Sequence, residues 1–124
     1  MDRTFLFLGS LLAGLGVGAG AFGAHALRAR LSPADLAIFE TGVRYQMYHA
    51  LALLAVAWVA ARSPSALGAW AGWSFVAGTL IFSGSLYLLV LSGQRWLGAV
   101  TPIGGVAFLA GWGCLALLAL RAER

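Results

Sequence analysis

The stretch from Thr41 to Leu54, TGVRYQMYHALALL, joins the most polar part of this chain to the start of a long apolar run. Arg44 and a group of polar aromatic residues come first, and the run from Ala50 to Ala61 is apolar throughout. A helix with this pattern passes from a wet surface into lipid, because hydrocarbon accepts apolar side chains and excludes charges. The stretch therefore predicts a helix that enters a membrane, with the rest of the chain packed around it.

The composition of the whole chain also indicates a membrane protein. Of the 124 residues, 61% are hydrophobic and 10% are charged, whereas a soluble domain carries about 25% charged residues. So few charges cannot cover a water-exposed surface, and much of the surface is therefore expected to face hydrocarbon. Because a spanning helix needs about 20 apolar residues, the length allows four spans within one domain, residues 1–124.

Turn and capping residues divide the chain into four predicted helices, at about residues 4–27, 33–61, 66–91 and 97–120. Ser32 can cap the second helix, and Pro33 suits its first helical position. The second helix exceeds one span, and its polar part, Pro33 to Arg44, could lie on the membrane surface or project from it. The predicted fold class is all-α, a four-transmembrane-helix bundle packed through glycine-rich faces.

Glycine spacing in the first helix predicts how it packs. Gly9, Gly16 and Gly23 recur every seven residues, and Gly14/Gly18 and Gly16/Gly20 are both GxxxG pairs. Small residues let two helix backbones approach closely in lipid. We therefore expect the first helix to be a central, tightly packed one.

Two other interpretations of the first apolar segment are less consistent with its sequence. Arg3 and the small residues around His25 fit a signal peptide, but the apolar run of about 21 residues, Thr4–Ala24, is long for one. We expect a retained helix. The GxGxxG match at 18–23 follows no strand, and no acidic residue stands at the required distance after it, so no dinucleotide cofactor is predicted.

The charges indicate lipid headgroups as partners and argue against nucleic acid. All eight basic residues are arginine, the net charge is +4, and no basic run occurs. Arginine is almost equally divided between the two predicted sides, which leaves the orientation open; we place both tails in the cytoplasm. The absence of lysine is typical of a GC-rich bacterial genome, so a multi-pass protein of the inner membrane is expected. Cys114 is alone, which excludes an intrachain disulfide and argues against a thiolate metal site.

The candidate functional residues lie in or near the opening stretch. They are His25, Arg44, Tyr45, Gln46, Tyr48, His49, Ser83, Ser85 and Thr101. His25 ends the first helix and His49 enters the second, so the two imidazoles could meet and relay a proton or bind a ligand. Alternatively, each imidazole fixes a helix pair by a hydrogen bond. No metal is predicted, because no HxxxH or HExxH spacing occurs.

The polar patch at the entry of the second helix has two interpretations. Arg44 and Tyr48 share one helix face, and Tyr45 and His49 share the adjacent one. The patch could bind an anionic headgroup, or it could be an aromatic belt with a snorkelling arginine. An arginine too deep to snorkel would favour a functional role.

The serines and threonine of the later helices could line a polar seam opposite the second helix. Ser83, Ser85 and Thr101 are more typical of hydrogen bonds between helices. No serine lies in a nucleophile-elbow motif or near an acidic partner that would activate a base. The sequence therefore predicts no enzyme.

Four motifs carry a resemblance to a known family: GAFGAHAL (20–27), YQMYHALA (45–52), FSGSLY (82–87) and TPIGG (101–105). In this order they resemble the YgdD-like family of small inner-membrane proteins of unknown function, over essentially the whole chain. The resemblance implies a four-span membrane protein and no assigned reaction. It also implies that the polar candidates within these motifs coincide with signature positions of the family.

The expected function is that of a non-enzymatic membrane component, because glycine packing motifs outnumber candidate chemical groups. Such a lipid-interacting or scaffold protein would have membrane lipids as partners and could form a homo-oligomer or bind another membrane protein. The alternative is a small transporter or proton-coupled carrier that uses the His/Arg/Tyr cluster. The distance between the two imidazoles distinguishes these hypotheses.

Overall fold

The computed structural model describes residues 2–122, and the regular structure in them is helical. Helix α1, Asp2–Phe22, continues into a π-helical turn, Gly23–Leu27. Helices α2 and α3 span Pro33–Arg62 and Ala66–Ser92. A 3-10 turn, Arg95–Ala99, precedes α4, Thr101–Ala122. The all-α class is confirmed. The fourth helix, predicted from about residue 97, becomes α-helical only at Thr101, because residues 95–99 form the tighter turn.

Local capping explains where the central helices begin and end. The Ser32 hydroxyl accepts a hydrogen bond from the Asp35 backbone N–H at 3.1 Å, which starts α2. The Ser65 hydroxyl accepts one from the Gly68 N–H at 3.2 Å, which starts α3. Gly93, with φ of 75°, ends α3 in the left-handed conformation that glycine adopts without strain.

Each helix packs mainly against its neighbour in sequence, so α2 and α3 are central and α1 and α4 flank them. This arrangement shows that the prediction of a central first helix was wrong. The buried residues of α1 are Phe5, Gly9 and Gly16, and most of its remaining surface is exposed. One row of glycines forms a single narrow groove, and a single groove accommodates one neighbouring helix.

The seven-residue glycine repeat of α1 forms that groove and faces α2. A Cβ atom built at Gly9, Gly16 or Gly23 would lie 2.8 Å from the Ala50 carbonyl oxygen, 2.5 Å from the Met47 sulfur and 2.9 Å from the Phe39 ring, respectively. By contrast, a Cβ at Gly14 or Gly18 would meet no atom within 4 Å. The repeat of seven therefore describes the contact. Of the two GxxxG pairs, Gly16/Gly20 also faces α2, since a Cβ at Gly20 would lie 3.4 Å from Val43, whereas Gly14/Gly18 makes no contact in this structure.

Glycines of α3 and α4 accommodate phenylalanine rings from the opposite helix. Gly78 lies against the ring of Phe108 on α4, and Gly111 lies against the ring of Phe75 on α3. At Gly104 the two backbones themselves approach, because a Cβ there would lie 2.5 Å from the backbone nitrogen of Phe82. The α3–α4 contact thus depends on the absence of side chains on both helices.

The N-terminal half of α2 packs inside the bundle. Phe39 and Gly42 are buried, and they contact Gly23 of the π turn and Tyr87 of α3, respectively. This part of α2 is therefore held by both of its neighbours and does not stand apart from the bundle.

Three helical segments of the described chain are long and apolar enough to cross a membrane: Asp2–Leu27, Ala66–Ser92 and Arg95–Arg121. Helix α2 is not among them, and its first half carries charged and polar residues, including Asp35, Glu40 and Arg44. The structure thus shows an all-helical protein with four helices and three candidate membrane spans within residues 2–122.

An ion pair joins the first turn of α2 to the 3-10 turn at the polar end of the bundle. The Arg95 guanidinium donates hydrogen bonds of 2.8 and 3.0 Å to the two carboxylate oxygens of Asp35. Asp35 lies in the first turn of α2, far from its apolar half. The hydrogen bond from Arg95 holds the pKa of the Asp35 carboxyl below its ordinary value of 3.8.

We expect acid to weaken the ion pair between Asp35 and Arg95. Because the Asp35 pKa is lowered on folding, its stabilising contribution is present above pH 3.8 and is lost as the pH falls through the folded pKa. Titration of the Asp35 carboxyl by ¹³C NMR in micelles should give a pKa below 3.8. In the Arg95→Gln variant the midpoint should return towards 3.8; equal midpoints in both proteins would contradict the assignment.

Adjacent glycines in α4 offer a matched test of helix packing. Gly104→Ala places a methyl group against the backbone of Phe82 and should lower the free energy of unfolding in micelles by about 1–3 kcal/mol. Gly105→Ala is the control, because a Cβ there meets nothing within 4 Å. The control should be neutral or slightly stabilising, and equal losses in both variants would refute close backbone approach at Gly104.

Candidate functional site

His49 is a buried link between α2 and α4, with 4% of its surface exposed. Its Nδ1 lies 2.8 Å from the Tyr45 carbonyl oxygen, and the Trp112 indole N–H donates to Nε2 at 3.1 Å. A carbonyl only accepts, so Nδ1 carries the proton and Nε2 accepts. The ring also stacks on Phe108 with centroids 3.5 Å apart and planes within 5°. Both nitrogens of the neutral imidazole are therefore already used in packing.

The structure does not bring His25 and His49 together. His25 lies exposed on the π turn, next to Gly23, which packs on Phe39 of α2. His49 is ten residues further along α2 than Phe39, which corresponds to roughly 15 Å along the bundle. A proton relay between the two imidazoles has no geometric basis in this arrangement.

Gln46 connects three helices near the middle of the bundle. The Tyr87 hydroxyl of α3 donates to Gln46 Oε1 at 2.7 Å, and Gln46 Nε2 donates to the Leu12 carbonyl of α1 at 2.8 Å. Ser83 donates to the Gly42 carbonyl at 2.6 Å and adds a second link between α3 and α2. These groups bind helices together, as hydroxyls and amides commonly do in membranes.

Ser85 and Thr101 form the corresponding link between α3 and α4. Their hydroxyl oxygens are 2.5 Å apart, and Ser85 also donates to the Phe82 carbonyl at 2.9 Å. Each hydroxyl carries one hydrogen, and Thr101 can also donate to the Leu97 carbonyl at 3.4 Å, so either hydroxyl can be the donor of the Ser85–Thr101 bond. Both side chains lie at the helix contact with at most 9% of their surface exposed.

Arg44, Tyr45 and Tyr48 lie on the surface of α2 and are exposed. Tyr45 stacks beside His49, with ring centroids 6.3 Å apart, as expected for residues four apart on a helix. Within residues 2–122, the structure shows no ion pair between Glu40 and Arg44, although their spacing allows one. The candidate residues thus divide into a buried helix-joining set and an exposed α2 set.

Two of the clefts between the helices are lined by candidate residues. The α2–α4 cleft has a volume of about 440 Å³. Its walls are mainly aromatic and include Tyr45, Phe82, Phe108 and Trp112, with Gly105 at its side. The α1–α3 cleft has a volume of about 290 Å³, and its lining includes the polar residues Gln46, Thr79, Ser83 and Tyr87.

Thr79 is a polar core residue that sequence reasoning missed. Its hydroxyl oxygen has no hydrogen-bond partner, although only 3% of the residue is exposed. Thr41, by comparison, donates to the Ala37 carbonyl four residues earlier at 2.9 Å. Sequence gives no signal that separates a threonine bonded to its own helix from one that is not, because both occur at interior positions.

Metal-binding groups are not assembled in the described residues. No cluster of three or more His, Cys, Asp or Glu within residues 2–122 could hold a metal ion. Cys114 is a half-buried free thiol that packs against the apolar core.

Comparison with known proteins places the chain in a family. The DUF423 family, described as a protein of unknown function, matches residues 19–105. The chain is a DUF423 protein. A UPF0382 membrane protein of Staphylococcus aureus is 47% identical over 110 residues, which cover 89% of each chain. The UPF0382 membrane protein YwdK of Bacillus subtilis is 45% identical over 121 residues, which cover 96% of this chain and 98% of YwdK. No solved structure matches the chain.

These relatives confirm the resemblance in its general form. This DUF423 protein belongs to a bacterial family of small membrane proteins whose function is unknown. The family name YgdD-like, which rests on the resemblance of the four motifs, stays a prediction.

The unpaired hydroxyl of Thr79 leads to a stability prediction. Thr79→Val removes a buried polar group with no partner and keeps the side-chain shape, so it should raise the free energy of unfolding by about 1 kcal/mol. Thr101→Val is the matched change at a hydroxyl bonded to Ser85 and should lower it by a similar amount. Unfolding of both variants in micelles would measure the difference, and destabilisation by Thr79→Val would indicate a bound partner at this hydroxyl.

Proposed function

We propose that this DUF423 protein is a four-span component of the bacterial inner membrane that binds lipid and catalyses no reaction. The four-span arrangement is supported by the position of α2. It packs between α1 and α3, with contacts from Gly23–Phe39 near one end to Gly9–Ala50 past its middle. A helix held along its length between two membrane-spanning helices lies at the same depth as they do.

The absence of catalysis is supported by how the interior polar groups are used. The Gln46 amide, the His49 imidazole and the Ser83 and Ser85 hydroxyls all hold neighbouring helices together. A nucleophile needs an adjacent base to activate it, and the one buried imidazole instead donates to a carbonyl and accepts from Trp112. These groups act as structural links.

Lipid binding is supported above all by the α2–α4 cleft. The cleft has a volume of about 440 Å³ and is bordered by flat aromatic rings and by Val106 and Leu109. Apolar surface of this kind suits an acyl chain, which fills an irregular groove without needing hydrogen bonds. The glycine at position 105 leaves the side of the cleft open, because a Cβ there would meet nothing within 4 Å.

A carrier remains the second hypothesis, with a narrower basis. It required His25 and His49 to share one polar space, and the structure separates them. The polar lining of the α1–α3 cleft, with the unpaired Thr79 hydroxyl, is the feature that would serve such a role.

Filling the α2–α4 cleft should displace bound lipid. Gly105→Phe places a ring in the open space of the cleft, whereas Gly113→Phe adds the same ring to α4 at another exposed, unobstructed position. Native mass spectrometry from nanodiscs should show retained phospholipid for the wild type and for Gly113→Phe, and its loss for Gly105→Phe. Release of wild-type protein without any lipid would argue strongly against the proposal. Equal retention by both variants would place the lipid elsewhere.

A further inference from the structure

Helix α2 has an exposed face that none of the other helices covers. Its exposed residues recur every three or four positions and are Glu40, Arg44, Tyr48, Leu51, Ala55 and Trp58, which we call the α2 stripe. This spacing places them on one side of the helix. Tyr48, Leu51 and Trp58 are 53%, 56% and 61% exposed. The face therefore begins with two opposite charges and continues with large, mostly apolar side chains.

Contacts with α3 define how deep Arg44 lies. Ser83 donates to the Gly42 carbonyl at 2.6 Å. The rings of Phe75 and His49 have centroids 5.4 Å apart. These two contacts match levels on the antiparallel helices, so the α2 segment 42–49 runs beside the α3 segment 75–83.

The middle of α3 lies within the segment 75–83. Thr79 is the central residue of Ala66–Ser92 and also lies midway between Phe75 and Ser83. The corresponding level on α2 is midway along 42–49, and Arg44 is about two residues, or roughly 3 Å, from it. The hydrocarbon core extends about 15 Å to each side of its centre. In the four-span arrangement, Arg44 therefore lies close to the middle of the bilayer.

Lipid is an unsuitable neighbour for Arg44 at this depth. Arginine reaches the headgroups by snorkelling from positions near helix ends, not from the centre of a span. Within residues 2–122, its guanidinium forms no ion pair or hydrogen bond with the rest of the protein. A charge at the bilayer centre normally faces protein or water.

We propose that the α2 stripe is the interface of a homodimer, an inference that rests on the four-span arrangement. Glu40 lies one turn from Arg44 on the same face, so the stripe is complementary in charge to a second copy of itself. A two-fold axis along the membrane normal keeps both copies in the same orientation and places Glu40 of the partner subunit one helical turn, roughly 6 Å along the axis, from the level of Arg44, a diagonal separation that the long arginine side chain can span. Two such ion pairs neutralise all four charges; Tyr48 packs one turn from Arg44, and Leu51 and Trp58 extend the contact along the apolar half of α2.

A charge exchange between two variants tests this pairing. Arg44→Glu places only acidic residues on the stripe, and Glu40→Arg places only basic ones. Each variant alone should lose the dimer that the wild type shows by native mass spectrometry from nanodiscs. When both variants carry different tags and are co-expressed, the mixed dimer should form, because opposite charges again face each other. An ion pair within one chain would not give this recovery.

Crosslinking tests the same interface without changing the charges on the α2 stripe. In a Cys114→Ala background, Leu51→Cys should be joined to a second copy by a bis-maleimide. Leu80→Cys is the control, because Leu80 lies on the exposed face of α3 near the middle of that helix and is 64% exposed. It should remain uncrosslinked.

Several results would overturn the dimer. These are a monomeric wild type, dimers of both charge variants at the wild-type level, or no recovery on mixing. Labelling of Arg44→Cys by a membrane-impermeant maleimide would indicate a water-filled vestibule instead. Retention of a different protein in place of a second copy would indicate a hetero-oligomer.

The four-span arrangement is tested separately by the sidedness of two loops. Ala29→Cys and Ser63→Cys flank α2 at exposed positions. An impermeant maleimide should label them from opposite sides of the membrane. Labelling from the same side would refute the span itself, whereas opposite labelling with a monomeric protein would refute only the dimer.

Discussion

The close approach of helix backbones at glycine is the constraint on which the rest of this structure depends. Between α3 and α4 the approach is so close that a Cβ at Gly104 would lie 2.5 Å from the Phe82 backbone nitrogen. Between α1 and α2, a Cβ at Gly9 would lie 2.8 Å from the Ala50 carbonyl oxygen. Lipid tails are as apolar as leucine, so helices gain little from hydrophobic burial in a membrane and associate through dispersion and hydrogen bonds instead. Both interactions fall off steeply with distance.

Close packing also determines what the polar side chains can do. Once the backbones are near each other, a serine or glutamine reaches a carbonyl on the next helix, as Ser83 reaches Gly42 and Gln46 reaches Leu12. In a medium of low dielectric constant, a polar group without a partner is unfavourable, and most of these groups are accordingly paired. Their pairing supports a structural role and leaves lipid binding in the α2–α4 cleft as the function best supported by shape.

Helix α2 differs from its neighbours because it has a polar inner side, which joins helices, and a charged outer side. Its inner side carries Gln46 and His49, which join helices, whereas its outer side carries Glu40 and Arg44. Charges on the outer side explain why α2 is the helix least suited to face lipid, although it is packed between two apolar helices. A second protein chain packed on that side would keep these charges away from lipid.

The sequence by itself determined the helical class, the membrane location and most of the helix ends, because periodicity, composition and caps such as Ser32 act locally. It also identified the polar residues that hold the helices together, since few polar residues occur in apolar runs. Only the tertiary structure decided which partners they have. It showed that Gly16 contacts α2 while Gly14 does not, that His25 and His49 lie apart, and that Thr79 is unpaired. These outcomes depend on the rotation of each helix about its axis, which is set by contacts between residues distant in sequence.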